Sequence, residues 1–184
     1  MAPAKRVLLP QPIEQEAVAV LRAANVEIVT APDKRTETVA PLLKGVQGVI
    51  LRTGVFFSKE LMSRADELQI ISRTGAGVDN VDVAAATRMG ILVTVVPGAN
   101  TRSVVEHALT LVLSLMKQIP LMDREIRRDN FAIRFKNLPR DLNGKTLGLV
   151  GLGRIGSELA RICRQAFDMR ILACDPYVAP ETMA

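Results

Sequence analysis

The sequence has no tryptophan, one tyrosine, one histidine and two cysteines in 184 residues, and aromatics make up only 3% of it. Each shortage excludes something. Without tryptophan and with so few aromatics, the core has to be aliphatic, assembled from Val, Ile, Leu, Ala and Met. Cys163 and Cys174 stand inside apolar patterns with no CxxC spacing and no nearby histidine. That argues against a metal site or a disulfide framework and predicts reduced, buried thiols in a cytoplasmic protein.

Long hydrophobic runs are missing too. The longest, around "HALTLVLSLM", is too short to span a bilayer. In "MAPAKRVLLPQPIEQE", Pro10, Pro12 and Glu14 cut the apolar run before it can serve as a signal-peptide core. A soluble protein with no membrane partner is expected. The net charge is +5, and basic residues thicken from Arg124 to Lys145. Acidic residues are interspersed there, only Phe131 and Phe135 could stack on bases, and no recognition motif is present, so no nucleic-acid partner is expected. An anionic ligand accounts for some of the charge equally well.

What is present is ordinary globular chemistry, 48% hydrophobic and 23% charged, which is enough to bury a core. Short apolar runs alternate with helical patterns. "RVLLP", Val26–Thr30, Gly48–Arg52, Leu68–Arg73 and Ile91–Val96 read as five strands. A helix is expected from Pro12, with Ile13, Ala17, Val20, Leu21 and Ala24 on one face. A second, near Thr36–Leu43, is interrupted by Pro41. Ser58 can cap a helix reaching Ala65, and another runs from Asp82 to Gly90. Strands that are apolar on both faces and alternate with helices imply a covered parallel sheet, complete within residues 1–98. A new unit is expected from residue 99. It opens with a long helix over Thr101–Lys117, with Ser103 and Glu106 at capping-box spacing and Val104, Ala108, Leu111 and Leu115 along its buried face. A polar, basic stretch to Gly144 follows, read as a helix and a connecting loop.

The chemistry concentrates in "LGLVGLGRIGSELA". Gly151, Gly153 and Gly156 match G-x-G-x-x-G between an expected strand and an expected helix. Gly151 permits the tight turn, Gly153 lets the backbone approach a pyrophosphate, and Gly156 lets helix and strand pack closely. The helix start offers unpaired N–H groups to phosphates. "MRILACD" supplies a second strand ending in Asp175, whose carboxylate can accept ribose hydroxyls and repels a 2′-phosphate, favouring NAD over NADP. A tight turn with no ligand is the plain alternative.

Four stretches, "SRTGAGVDNVDVAAATRMGILV", "PGANTRSVVEHALTLVLSLMKQIP", "LNGKTLGLVGLGRIG" and "ACDPY", together resemble the D-2-hydroxyacid dehydrogenases, close to their D-3-phosphoglycerate dehydrogenase branch. The resemblance implies an α/β fold: a flavodoxin-like parallel-sheet substrate domain (residues 1–98), then the first βαβ unit of a Rossmann NAD-binding domain (residues 99–184). It further implies that Arg154 and Ile155 contact the pyrophosphate, that Asp175 holds the adenosine ribose, and that the backbone of Ala76, Gly77 and Val78 binds the carboxylate of a 2-hydroxy or 2-oxo acid. Arg52 matches a position near the substrate, with a plain surface arginine as the alternative. Asn100 matches a residue of the cleft in the related formate dehydrogenases, with a helix cap as the alternative. Ala76 replaces a threonine frequent in the phosphoglycerate branch, and "LRTGV" differs from its usual run.

The family's catalytic arginine, carboxylate and acid–base histidine come later in its sequence than these residues reach. His107 does not match that histidine, and a helix-face or interface role is expected for it. The resemblance thus implies an NAD-dependent oxidoreductase, a homodimer when full length, with the chemistry completed by residues beyond these 184. A non-enzymatic, NAD-responsive binding protein like the family's co-repressor relatives, or an inactive truncated fragment, is the alternative.

Overall fold

A computed structural model of the chain describes residues 4–179. The chain divides into two units, Met1–Ala99 and Asn100–Ala184. In the first, five strands form one sheet: β1 (Arg6–Leu9), β2 (Glu27–Thr30), β3 (Gly48–Leu51), β4 (Ile70–Arg73) and β5 (Leu92–Thr94). Their spatial order is β2-β1-β3-β4-β5, and every pairing is parallel. This is the flavodoxin-like order, with its switch point between β1 and β3.

The connecting helices are short: α1 (Gln15–Ala23), α2 (Thr36–Val39), α3 (Lys59–Met62) and α4 (Val83–Arg88). Sequence cues set their ends. Ser58 Oγ accepts the Leu61 N–H (3.2 Å), and an Asp82 carboxylate oxygen accepts that of Ala85 (2.8 Å), so each caps its helix. Pro41 cannot extend an α-helix, and α2 tightens there into a 3₁₀ turn over Ala40–Leu43. Two expectations need correction. The Ser58 helix ends at Met62, short of Ala65, and α1 begins at Gln15 and turns Ala17, Val18 and Leu21 inward, leaving Val20 exposed. "AVAVLRAA" is apolar at too many positions for spacing to choose a face.

The core of this unit is aliphatic apart from Phe57: Leu8, Val39, Leu43, Val49, Leu51, Met62 and Ile71 are fully enclosed with it. Burying one such side chain contributes about 1.5–3 kcal/mol.

The second unit contains α5 (Thr101–Met116), α6 (Ile119–Ile126), α7 (Ile133–Lys136), β6 (Thr146–Val150), α8 (Arg154–Phe167) and β7 (Arg170–Cys174). β6 and β7 pair in parallel as a two-stranded sheet. Their inward residues Leu147, Leu149 and Ile171 pack with Val105, Leu159, Cys163 and Met169. The inward face of α5 carries Val105, Ala108, Leu109, Val112 and Leu113, while Val104, Leu111 and Leu115 are exposed. Of the four expected residues only Ala108 turns inward, because from Ala108 onward the helix is apolar on nearly every side and spacing cannot choose a face. The Ser103–Glu106 capping box does not form either: Asn100 is the N-cap, so Ser103 lies inside the helix. No single helix among the described residues is long and apolar enough to cross a membrane. Cys163 is buried as expected, and burial pushes its thiol pKa up; Cys174 is exposed, because β7 has one uncovered face.

Candidate functional site

In the first unit the chemistry gathers where parallel strands end, since the loops leaving their carboxyl ends converge there. Arg52 follows β3 directly. Its guanidinium donates to the Pro12 carbonyl (3.0 Å) and to Glu14 (3.3 Å), so it spans the β1/β3 switch point with its charge partly balanced. The loop after β4, Thr74–Asn80, contains Ala76, Gly77 and Val78. Their three N–H groups have no acceptor among the described residues, and Ala76 and Gly77 are exposed. Unpaired consecutive amides of this kind attract anions. One neighbour opposes that: the Asp79 carboxylate lies close over Gly77, within 2.9 Å of where a Cβ would stand.

Residues that the sequence reading passed over complete this end of the sheet. Arg73, the last residue of β4, is only 7% exposed and is the one charged side chain among the buried residues described. Asn80 donates to the carbonyls of Arg52 and Val55, both at 2.9 Å. Asn80 Oδ1 and Gln11 Oε1 are buried without partners among the described residues, a costly state that calls for a structural or functional reason. The one available signal was a charged residue closing an otherwise apolar strand, "LQIISR".

In the second unit the three glycines of the β6–α8 turn are glycine for three different reasons. Gly151 has φ +98°, a left-handed conformation that side chains disfavour. A Cβ on Gly156 would lie 2.3 Å from the Gly151 carbonyl oxygen, so any side chain there would drive helix and strand apart. Gly153 has an ordinary φ of −72°, and a Cβ on it would meet nothing within 4 Å. Nothing among the described residues requires that glycine.

Gly153 caps α8, whose first closed hydrogen bond runs from Ser157 N–H to the Gly153 carbonyl (2.9 Å). The amides of Arg154, Ile155 and Gly156 therefore have no acceptor among the described residues, and they sit at the positive end of a 14-residue helix. Asp175, just past β7, accepts the Leu152 N–H at 2.6 Å and the Tyr177 N–H at 2.8 Å. Those two amides hold its carboxyl below the usual range and keep it ionised. An ionised carboxylate has about four acceptor positions, so two remain for a ligand. Glycine turn, helix start and acidic strand end are thus one assembly, with space left over Gly153.

Asn100 lies at the start of α5, and its side chain makes no capping bond. His107 is exposed on α5. No group of three or more metal-ligating side chains occurs among the described residues. An open recess of about 1090 Å³ runs along α8 and β7, lined by Ala160, Arg164, Met169 and Leu172. It includes neither Gly153 nor Asp175; it runs beside the uncovered strand and reaches the glycine turn only at Leu152 and Ser157.

Residues 7–173 match the model of the D-isomer specific 2-hydroxyacid dehydrogenase catalytic domain. The chain is 37% identical to a D-3-phosphoglycerate dehydrogenase of Archaeoglobus fulgidus, over 96% of its own length and 33% of that protein's. Among solved structures, a Thermus thermophilus protein superposes with a TM-score of 0.87 at 30% identity, covering 95% of this chain and 57% of that one. D-lactate dehydrogenase from Aquifex aeolicus, complexed with NAD and lactic acid, gives 0.84 at 27%, covering 97% and 54%. The chain spans about a third of the length of the curated relatives it matches. It belongs to the D-isomer specific 2-hydroxyacid dehydrogenase family.

Proposed function

We propose that the whole protein is an NAD-dependent oxidoreductase of D-2-hydroxy acids, of the phosphoglycerate dehydrogenase kind, transferring hydride between C2 of the acid and the nicotinamide. The observation that carries the cofactor reading is Gly153: its missing Cβ serves no need among the described residues and leaves room for a pyrophosphate against the backbone. In this reading Gly151 and Gly156 shape the turn. The amides of Arg154 and Ile155 then bind pyrophosphate oxygens, and Asp175 accepts the adenosine ribose hydroxyls. NAD, when bound, would supply the hydride-carrying nicotinamide. Asp175 favours NAD over NADP because a 2′-phosphate would meet a carboxylate already held ionised.

The substrate side uses the backbone of Ala76, Gly77 and Val78 for the acid's carboxylate, with Arg52 at the same end of the sheet; Asn100, the further residue that the family resemblance implies, belongs to the second unit. The presence of lactic acid with NAD in the Aquifex relative supports a small 2-hydroxy acid as the substrate class. None of these groups transfers a proton, and exposed His107 is assigned no catalytic part. We place the protein in the cytoplasm as a homodimer. Two free thiols support the first, and the exposed Leu111, Leu115, Ile119 and Phe135 of α5–α7 support the second. A sedimentation mass of one chain for the whole protein would remove the dimer.

The test exploits Gly153. Gly153→Ala should leave the melting temperature unchanged, since the methyl enters open space, and should weaken NAD binding by calorimetry at least tenfold. Equal affinity in the variant, or no NAD binding by a folded chain, would remove the cofactor reading.

A further inference from the structure

We infer that Arg73 is a positioning residue: it fixes the middle of the Thr74–Asn80 loop against the carboxyl end of β3, so that the amides of Ala76, Gly77 and Val78 stay unpaired and in fixed register with Arg52. This rests on the reading that those amides take a carboxylate.

Arg73 is an unusual thing to bury. No carboxylate lies within ion-pair distance of it among the described residues. A guanidinium enclosed without a counter-charge is a poor device for stability, because removal from water costs several kcal/mol that no partner charge returns. What it has instead is three backbone carbonyls. Nε donates to Gly77 (2.9 Å), and Nη1 donates to Leu51 (3.0 Å) and to Arg52. One planar fork therefore joins the loop leaving β4 to the residue that ends β3 and the residue that follows it. The rigid, divergent donors of arginine suit that task, and the single ammonium of lysine does not.

The other hydrogen bonds show which part of the loop depends on it. Leu51 O also accepts the Thr74 N–H (3.1 Å), and Arg52 O also accepts from Asn80 Nδ2 (2.9 Å). On one side the loop is tied by Val96 N–H to Gly75 O (3.1 Å); on the other the Val81 N–H only closes a local turn on Val78 O (2.9 Å). The bridge between Phe57 and Val81 joins the two loops further on. Gly77 O alone has no other donor among the described residues. Removing the guanidinium should therefore release residues 76–78 and leave both strands paired. Free amides bind an anion well only if they are already held in place, since ordering them at the moment of binding would consume part of the affinity.

The experiment uses the ¹⁵N-labelled 184-residue chain and its Arg73→Met and Arg73→Lys variants, with D-glycerate as the carboxylate probe. In Arg73→Met, backbone order parameters and amide protection should fall at residues 76–78 only, with β3 and β4 unchanged. The D-glycerate titration, followed at the Gly77 and Val78 amides, should weaken at least tenfold. Arg73→Lys should restore part of both, and it carries the comparison alone if the methionine variant does not fold. Unchanged order at 76–78 in a folded variant would overturn the proposal. Disorder spread equally through β3 and β4 would also overturn it, since Arg73 would then be holding the core. If the unaltered chain gives no response to D-glycerate at these amides, the carboxylate reading fails, and the order parameters still decide whether Arg73 sets the loop.

Discussion

In the first unit, β1, β3 and β4 each have a strand on both sides, whereas in the second unit β6 and β7 have only each other among the described residues. The sequences of the two sets are similar: "GVIL" and "TLGLV" are both short and largely apolar, though one face of the second carries Thr146 and Gly148 beside Val150. Their surroundings differ completely. β3 is buried along almost its whole length. β6 and β7 alternate between half-buried and exposed, with Val150 99% exposed and Leu172 half exposed. An apolar strand pattern thus reports the covering a strand can accept, and only neighbours decide the covering it has. Two strands alone form a marginal sheet; here α5 and α8 support one face of it.

The sharpest break of that comparison is a matched pair of truncations. Leu8→Ala removes a fully enclosed side chain of the first unit and should cost about 2–5 kcal/mol. Val150→Ala, on the bare face of the second, should stay within about 0.5 kcal/mol. Denaturant unfolding of the chain measures both. Similar losses would mean that Val150 is covered in solution, and the contrast between the sheets would be lost.

Hydrogen exchange reads the same contrast without mutation. Amides of Val49, Leu51 and Ile71 should exchange at least tenfold more slowly than those of Leu147, Leu149 and Ala173, since opening a two-stranded sheet exposes little additional surface. Unpaired edges also invite a second chain. Protection of β6 and β7 should therefore rise with protein concentration. Uniformly slow exchange through Cys174 in a monodisperse monomer would refute both statements.

Much of this was legible in the sequence, and the failures share one cause. All seven strands and the turn at Gly151–Gly156 follow from local signals: apolar runs, punctuating glycines and caps such as Asp82. Faces did not follow where a helix is apolar all round, as α5 showed with Val105 inward and Val104 outward. Cys174 was expected to be buried because its strand looks buried on both faces. The roles of Arg73 and Asn80 could not be read locally because they rest on partners far away in sequence: Arg73 reaches Leu51 and Asn80 reaches Val55. Local pattern can place an element, but it cannot say which carbonyl a side chain will find.

A carboxylate in each unit is held differently, and pH separates them. Asp175 is kept ionised by backbone amides alone, whereas in the first unit Asp33 has the Arg35 guanidinium and the Thr38 hydroxyl and is held far below the ordinary carboxylate range. Both folded pKa values are depressed, so both ties are intact above the unfolded value of about 3.9 and are lost only as pH falls through the folded one. On acidification Asp175 should protonate first, releasing the Leu152 and Tyr177 amides while Asp33 stays charged. A ¹³C-carboxyl titration checks the order, and Asp33 protonating first would reverse it. Through the same carboxylate, Asp175→Ala should narrow the preference for NAD over NADP about tenfold, measured as a ratio of affinities. Equal affinity for both cofactors before mutation would remove the premise.

The smallest expected effect compares the two sets of free amides directly. Those of Arg154, Ile155 and Gly156 gain from a helix dipole, whereas those of Ala76, Gly77 and Val78 have the Asp79 carboxylate close over Gly77. Asp79 is exposed, so its repulsion of a bound carboxylate is that of a solvated like-charge pair, about 0.2–1 kcal/mol. Asp79→Asn should therefore tighten D-glycerate binding at the Gly77 and Val78 amides by about threefold, and NAD affinity should not change. The gain should shrink in about 1 M salt, where screening acts within roughly 3 Å. A gain that persisted in high salt would point to a change in loop shape, and the repulsion argument would fall. Weaker binding in Asp79→Asn would place the acid elsewhere, with Asp79 supporting the loop rather than opposing its ligand.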